Sequence, residues 1–293
     1  MGFTGALTKV AAGFIVAGTL AFAGCGPTNP AGVGGAGGAG GGGGGNGPAI
    51  NFPGPHRISS YTSGWRDSPD YGAATIWYPQ GLQGPLWGVA VVPGFTELQL
   101  RGWGEFLASH GYITITIDTN DTLVPPEQRA VALKSALQTL REENTRGGSP
   151  IAGRLGERFA VMGHSMGGGG ALIVGNENPA NVRASVGLTP WRPGGTFGAT
   201  RVPTLMIGGE SDALVYPSDI TRFYDSIPNG TPKTYMSFRG ADHFVVNNPN
   251  LPGNAQTGGR FALAWLKIHL DGDASYRPWI QNNSAFHIFR STL

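Results

Sequence analysis

Short apolar segments alternate with helical patterns between residues 74 and 270, and this alternation constrains the fold more than any other feature. The apolar segments are 74–79, 88–93, 112–117, 158–163, 184–188, 203–209 and 234–238. The helical patterns span 103–110, 127–142, 167–176, 218–226 and 258–270. Unbroken apolar runs such as GVAVV at 88–92 are typical of parallel strands covered on both faces. The sequence therefore predicts an α/β fold with a mostly parallel central sheet and helices on both faces.

The first 25 residues have the features of an export signal. Lys9 precedes an apolar stretch that ends at Cys25. Together with its flanking residues, this stretch is too short to favour a membrane-spanning helix. AFA at 21–23 is typical of an ordinary secretory cleavage site, whereas FAGC at 22–25 resembles a bacterial lipobox, in which the cysteine is lipidated. We therefore expect an extracytoplasmic protein, either secreted or held at the outer membrane through a lipidated Cys25.

Residues 26–47 form a glycine-rich linker. This segment holds much of the unusual total of 50 glycines and cannot bury apolar surface, so it predicts a flexible coil. The folded domain is expected to span residues 48–293. A chain of 293 residues is long enough for one large α/β domain and too short for two such domains plus a tail.

The charge balance and the cysteine content exclude other classes. The chain has 20 Lys and Arg against 18 Asp and Glu, and its net charge of +2 gives no strong field that would attract nucleic acid. A single cysteine excludes an intramolecular disulfide.

The segment GHSMGGGG at 163–170 contains the candidate nucleophile. Its first five residues match the pattern G-x-S-x-G, follow a predicted strand and enter a predicted helix, which is the context of a nucleophile elbow. A side chain at Gly163 or Gly167 would collide with the neighbouring strand or helix, and the glycines at 168–170 would let the helix lie close to the sheet. Ser165 is therefore predicted to project at the C-terminal edge of the sheet, near helix N–H groups that face a developing anion.

Serine at its free pKa is a poor nucleophile, so a base and an orienting carboxylate are required. After an elbow of this kind the chain order is Ser, then Asp or Glu, then His, each just past a later strand. Asp212 and His243 each follow the end of a predicted strand and are the candidate acid and base. Glu210 is the nearest rival to Asp212 but lies closer to the strand end, and Asp242 is interpreted as a loop residue.

An oxyanion hole needs two backbone N–H donors aimed at the tetrahedral intermediate. Met166, the residue after the nucleophile, is expected to supply one. The other is expected from the loop after the strand at 88–93, where Phe95 is the best candidate and its ring would line the site.

Six segments carry a more specific signal: VVPGFT, LASHGYITITIDTNDTL, GHSMGGGGAL, TPW, GGESDALV and GADHF. Together they resemble the bacterial polyester hydrolases of the cutinase type, the group that contains the poly(ethylene terephthalate) hydrolases. The likeness runs from about residue 56 to about residue 280. GHSMGGGG and ITIDTN are far more specific than G-x-S-x-G alone. The resemblance implies an α/β-hydrolase fold.

The resemblance also implies roles for individual residues. It implies Ser165 as nucleophile, His243 as base and Asp212 as orienting acid. It makes Phe95 and Met166 the oxyanion donors. It gives Trp191 of TPW as an aromatic wall for the acyl group. Apart from the resemblance, the residues expected to line the substrate cleft are Phe95, Met166, Trp191, His164 and Phe244.

Two departures from the family pattern are visible. The family often has Tyr where Phe95 stands, so the ring is kept and its hydroxyl is lost. Family members usually have a disulfide near the C-terminus, whereas residues 276–293 contain no cysteine, so that end is expected to be held by packing alone. No metal or organic cofactor is expected, because the triad chemistry needs none. The family resemblance allows a bound Ca²⁺, but the sequence shows no loop of oxygen ligands for it.

The connection at 189–202 is too short to form a lid. Lidded lipases of this fold insert helices at this point, and an open cleft suits a large, apolar ester. We therefore expect a lid-free, monomeric serine carboxylic ester hydrolase that attacks polyesters through an acyl-enzyme. One alternative is an esterase or lipase for short-chain or triglyceride esters. The other, a catalytically silent binding protein on the surface, is opposed by the intact set of Ser165, Asp212 and His243.

Overall fold

A computed structural model describes residues 47–62, 64, 68–95 and 99–293. The predicted export signal with Cys25, and the linker at 26–47 apart from Gly47, lie outside the described residues. Across the described ranges, no helix combines the length and the apolar character needed to cross a membrane.

In the described part of the chain, nine strands form one sheet in the order β1-β2-β4-β3-β5-β6-β7-β8-β9. They are β1 (Ile58–Tyr61), β2 (Ala74–Pro79), β3 (Leu86–Val92), β4 (Ile113–Ile117), β5 (Leu155–His164), β6 (Val182–Leu188), β7 (Thr204–Gly209), β8 (Lys233–Phe238) and β9 (Phe286–Ser291). The strands from β4 to β8 pair in parallel, whereas β1, β2 and β9 join through antiparallel pairs. All seven predicted strands are present, and the mostly parallel sheet is confirmed.

Helices cover both faces of this sheet, as the alternation of patterns predicts. The described helices are α1 (Arg101–Ser109), α2 (Pro126–Thr145), α3 (Met166–Glu177), α4 (Pro217–Ser226) and α5 (Asn254–Leu266), followed by a π-helical turn at Lys267–Asp271 and a 3₁₀ helix at Ala274–Trp279. Val89 and Val91 of β3 pack with α1 and α5, while Ala90 and Val92 pack with α2 and α3. Successive side chains of a strand point to opposite faces, so one apolar strand supplies both layers of the core.

The two edge strands, β1 and β9, are not predicted by the sequence patterns. Each is only partly buried, and neither has the unbroken apolar run of the central strands. β9 pairs antiparallel with β8 and thereby holds the cysteine-free C-terminus. The Phe286 ring packs 5.1 Å from Phe238 and 5.2 Å from Phe261. Arg290 forms an ion pair with Asp225 at 2.7 Å, so a strand ladder and an ion pair add to the packing expected there.

The connection between β6 and β7 contains no helix, so the sheet carries no lid at this point. Phe261, Trp265 and Ile268, whose helical spacing predicts a core position, are all buried on the last helical segment. The predicted site residues Ser165, Asp212 and His243 follow the C-terminal ends of β5, β7 and β8, respectively.

Candidate active site

Ser165 occupies the sharp turn between β5, which ends at His164, and α3. Its backbone has φ 53° and ψ −118°, a conformation that residues other than glycine rarely adopt. The Ser165 N–H donates to the Leu188 carbonyl at 2.8 Å, and its own carbonyl accepts from Gly169 at 3.0 Å and from Trp191 at 2.8 Å. These three bonds hold the turn in the left-handed region and fix the position of the serine.

The glycines on either side of this turn are required by close backbone contacts. A Cβ at Gly163 would overlap the carbonyl oxygen of Gly167. A Cβ at Gly167 would overlap the carbonyl oxygen of Pro93, just beyond β3, and would lie 2.5 Å from the Val92 oxygen. The collision predicted at both positions is therefore present, and its partners are backbone atoms that have little freedom to move.

The next three glycines bring α3 close to other segments. A Cβ at Gly168 would lie 2.8 Å from Pro190 Cα and 3.0 Å from the Gly163 oxygen in β5. A Cβ at Gly169 would overlap a backbone atom of the loop after β6, and one at Gly170 would lie 3.0 Å from Arg129 Cβ on α2. The helix α3 thus approaches the sheet closely at Gly168. Gly169 and Gly170 instead allow the loop after β6 and the helix α2 to approach α3 closely.

The Asp212 carboxylate and the His243 imidazole form a buried pair. Asp212 Oδ2 accepts from His243 Nδ1 at 2.8 Å, and Oδ1 accepts from the backbone N–H groups of Leu214 and Val215, both at 2.8 Å. Asp212 is 2% exposed and His243 is 5% exposed. Because Nδ1 donates to the carboxylate, Nε2 is the ring nitrogen left to accept a proton.

Two residues at neighbouring strand ends hold the backbone of His243. His164 Nε2 donates to the His243 carbonyl at 2.9 Å, and Thr189 Oγ1 donates to the same oxygen at 3.1 Å. The His164 and His243 rings lie 4.7 Å apart, and His164 is 1% exposed. The residue before Ser165 thus contacts the loop that carries His243. Sequence reasoning missed the contact from Thr189. The sequence feature that could have indicated it is a hydroxyl-bearing residue directly after β6.

The two rival carboxylates have other partners. Glu210 accepts from the Gly240 N–H at 2.9 Å and pairs with His287 Nδ1 at 2.9 Å. Asp242 Oδ1 accepts from the Phe244 N–H at 2.9 Å, which is a local turn contact. Asp212 is therefore the carboxylate that the structure brings to the His243 ring.

The aromatic residues around the turn differ in exposure. Phe244 is 50% exposed, and its ring lies edge-on to His243 with the centroids 5.4 Å apart. Trp191 is partly buried and packs against an apolar cluster that includes Phe197. Phe95, after β3, and Met166, the first residue of α3, are also partly buried. Of the predicted contact residues, Phe244 offers a ligand the largest exposed fraction, whereas His164 offers almost none.

Within the described ranges, no three His, Cys, Asp or Glu side chains are grouped so that they could hold one metal ion.

The parallel sheet and the strained serine between β5 and α3 define the protein as an α/β-hydrolase. Comparisons with known proteins then give the family. The PET hydrolase-like family model matches residues 49–291. Cutinase 2 of Thermobifida cellulosilytica is 38% identical over 232 residues, which cover 78% of this chain and 84% of that protein. Cutinase cut1 of Thermobifida fusca is also 38% identical, over 78% of this chain and 69% of that protein.

A relative with a different name extends the comparison. The bis(hydroxyethyl) terephthalate hydrolase of Streptomyces coelicolor is 34% identical over 231 residues, covering 78% of this chain and 71% of that protein. The chain therefore belongs to the PET hydrolase-like family. It is a carboxylic ester hydrolase.

Proposed function

We propose that this protein hydrolyses polyesters, with Ser165 as nucleophile, His243 as general base and Asp212 as the orienting acid. The observation that carries the proposal is the buried hydrogen bond between Asp212 and His243, in a loop tied to the residue before the strained serine. The cutinases and the terephthalate ester hydrolase among the relatives support the substrate class. All the relatives named above are hydrolases, which opposes a catalytically silent binding protein.

The chemical steps follow from the roles assigned to Ser165, His243 and Asp212. His243 Nε2 takes the proton of Ser165 as the serine oxygen bonds to the ester carbonyl carbon, and the negative charge that forms on the carbonyl oxygen faces the N–H groups of Phe95 and Met166. The alcohol leaves with the proton from His243, and an acyl-enzyme remains. Water, deprotonated by the same imidazole, repeats the cycle and releases the acid.

The size of the substrate follows from the open site. An immobile chain segment on a solid surface cannot enter a covered pocket, and the connection after β6 has no helix that would cover the serine. Phe244 offers an exposed ring next to His243, and the backbone N–H of Trp191 donates to the Ser165 carbonyl. We assign the contacts with a repeat unit to Phe95, Met166, Trp191 and Phe244. His164 is assigned to holding the His243 loop, because it is buried.

Replacing Trp191 by Ala is expected to slow release from polymer films much more than turnover of p-nitrophenyl acetate. An aromatic contact is worth about 0.5–1.5 kcal/mol beyond its buried area, and a small ester barely reaches this ring. We also expect aliphatic films to be attacked faster than aromatic films, whose stiff chains must be bent into the site. The measurement is soluble product from polycaprolactone and poly(ethylene terephthalate) films, beside p-nitrophenyl acetate kinetics.

Trp87→Ala is the matched control for this experiment. Trp87 is also partly buried, but it lies at the N-terminal end of β3, whereas Ser165 follows the C-terminal end of the neighbouring strand β5. It should leave the ratio of film to small-ester activity unchanged. If the wild type cleaves p-nitrophenyl esters but releases nothing from either film, the polyester proposal is wrong and an esterase for small esters replaces it.

We further propose that residues 1–25 export the protein, that residues 26–47 tether the domain at 48–293, and that Cys25 is lipidated. In a Gram-negative host the wild type is expected to take up labelled palmitate and to partition with membranes, and Cys25→Ala should abolish both. An unlabelled mature chain that begins at Gly24 would contradict lipidation and support ordinary secretion.

A further inference from the structure

Arg129 of α2 is a buried cation that contacts the loop after β3. Its side chain is 0% exposed, and Nη1 donates to the Pro93 carbonyl at 2.7 Å. Nε donates to the Val124 carbonyl and Nη2 to the Thr122 carbonyl, both at 2.8 Å. One guanidinium therefore ties the loop after β3 to the loop that precedes α2.

The Pro93 carbonyl is confined from a second direction. Gly167, in the first turn of α3, approaches this oxygen so closely that a Cβ there would overlap it. The oxygen is thus held between the guanidinium and the turn that carries the candidate nucleophile. Gly167 has no side chain, so the Pro93 oxygen approaches its backbone directly. The position of the loop after β3 relative to α3 therefore depends on where the Pro93 carbonyl points.

The direction of this carbonyl bears on the oxyanion hole. The Pro93 oxygen and the Gly94 N–H belong to one planar peptide group, so fixing the oxygen fixes the plane. The N–H of Phe95 belongs to the next peptide group, one residue later. Only two rotatable backbone bonds, φ and ψ of Gly94, separate the two planes. When a guanidinium holds the first plane, the direction of the Phe95 N–H depends on these two bonds alone and no longer on the chain that precedes Pro93.

We propose that Arg129 is a positioning residue for the oxyanion hole, acting through Pro93 on the Phe95 N–H. The inference rests on the proposed serine mechanism and on the assignment of Phe95 as a donor. Loss of one oxyanion donor lowers kcat by about 100- to 1,000-fold in other serine hydrolases. Removing a residue that only aims such a donor should have a smaller effect, on the order of 10- to 100-fold.

The experiment compares Arg129→Met with Lys233→Met. Lys233 is a second buried cation that donates to backbone carbonyls, those of Tyr224 at 3.0 Å and Ile227 at 2.5 Å, where α4 ends. Both substitutions keep an apolar chain of similar length and leave carbonyls without their donor, so both should lower the Tm. Of these two residues, only Arg129 has a described hydrogen bond to the loop after β3.

The measurements are kcat and KM for p-nitrophenyl butyrate, and the rate of inactivation by an organophosphonate, well below the Tm of each variant. Arg129→Met should lose about 10- to 100-fold in kcat with little change in KM, and phosphonylation should slow in proportion, because that reaction also places charge in the hole. Arg129→Lys should recover part of the loss. Lys233→Met should keep a kcat close to that of the wild type.

A folded Arg129→Met variant with wild-type kcat would overturn the inference, as would an equal loss of kcat in Lys233→Met. If Arg129→Met does not fold, Arg129→Lys decides the matter: a lowered kcat at unchanged KM supports the inference, and a wild-type kcat overturns it. These results are separate from the proposed function. A wild type that neither turns over p-nitrophenyl butyrate nor reacts with the phosphonate would contradict ester hydrolysis itself.

Discussion

Replacing Ser165 by Ala is expected to remove nearly all ester hydrolysis, with kcat lower by a factor on the order of 10⁴ to 10⁶. His243→Ala should lose about as much, because the serine needs the imidazole to accept its proton. The double variant should lose little more than either single variant, since the members of a triad act as a unit. The measurement is kcat for p-nitrophenyl butyrate with each purified variant, together with its Tm.

Ser185→Ala provides the matched control. Ser185 is a fully buried serine of β6 whose hydroxyl donates to the Ala171 carbonyl at 2.8 Å. Its loss should cost about 1 kcal/mol of stability and leave kcat nearly unchanged. Retained turnover in folded Ser165→Ala would end the serine mechanism. Losses that multiply in the double variant would show that Ser165 and His243 act separately.

Gly167→Ala is expected to cost about 3 kcal/mol of unfolding free energy or to prevent folding. The new methyl group would overlap the Pro93 carbonyl oxygen and lie 2.5 Å from that of Val92. Both are backbone atoms at the end of a buried strand, so relief requires a shift of β3 or α3. For a domain of this size the expected fall in Tm is roughly 10 °C. Thermal unfolding followed by circular dichroism measures it.

Gly230→Ala is the matched control for this substitution. Among the described residues, its chain neighbours apart, no heavy atom lies within 4 Å of a Cβ added at Gly230. Its replacement should change the unfolding free energy by no more than about 0.5 kcal/mol. Equal Tm values for Gly167→Ala and Gly230→Ala would mean that the turn has room for a methyl group and that the close approach described above does not constrain it.

The central part of the fold can be predicted from the sequence because each of its strands and helices has an apolar pattern within its own segment. Seven strands and five helices carry their own apolar patterns, and each is found close to its predicted position. The strand, serine turn and helix at 158–176 are contiguous, so G-x-S-x-G can be interpreted in its structural context. Asp212 and His243 could be selected because both follow strands whose ends meet at one edge of a parallel sheet.

The anchoring contacts of the site are a product of the tertiary structure. The bonds from His164 and Thr189 to the His243 carbonyl join strand ends separated by 79 and 54 residues along the chain. The bond from Arg129 to Pro93 spans 36 residues, and its acceptor is a backbone carbonyl, a group that every residue possesses. Residue types alone cannot identify such acceptors, because a carbonyl becomes a specific partner only when folding brings one buried donor within hydrogen-bond distance.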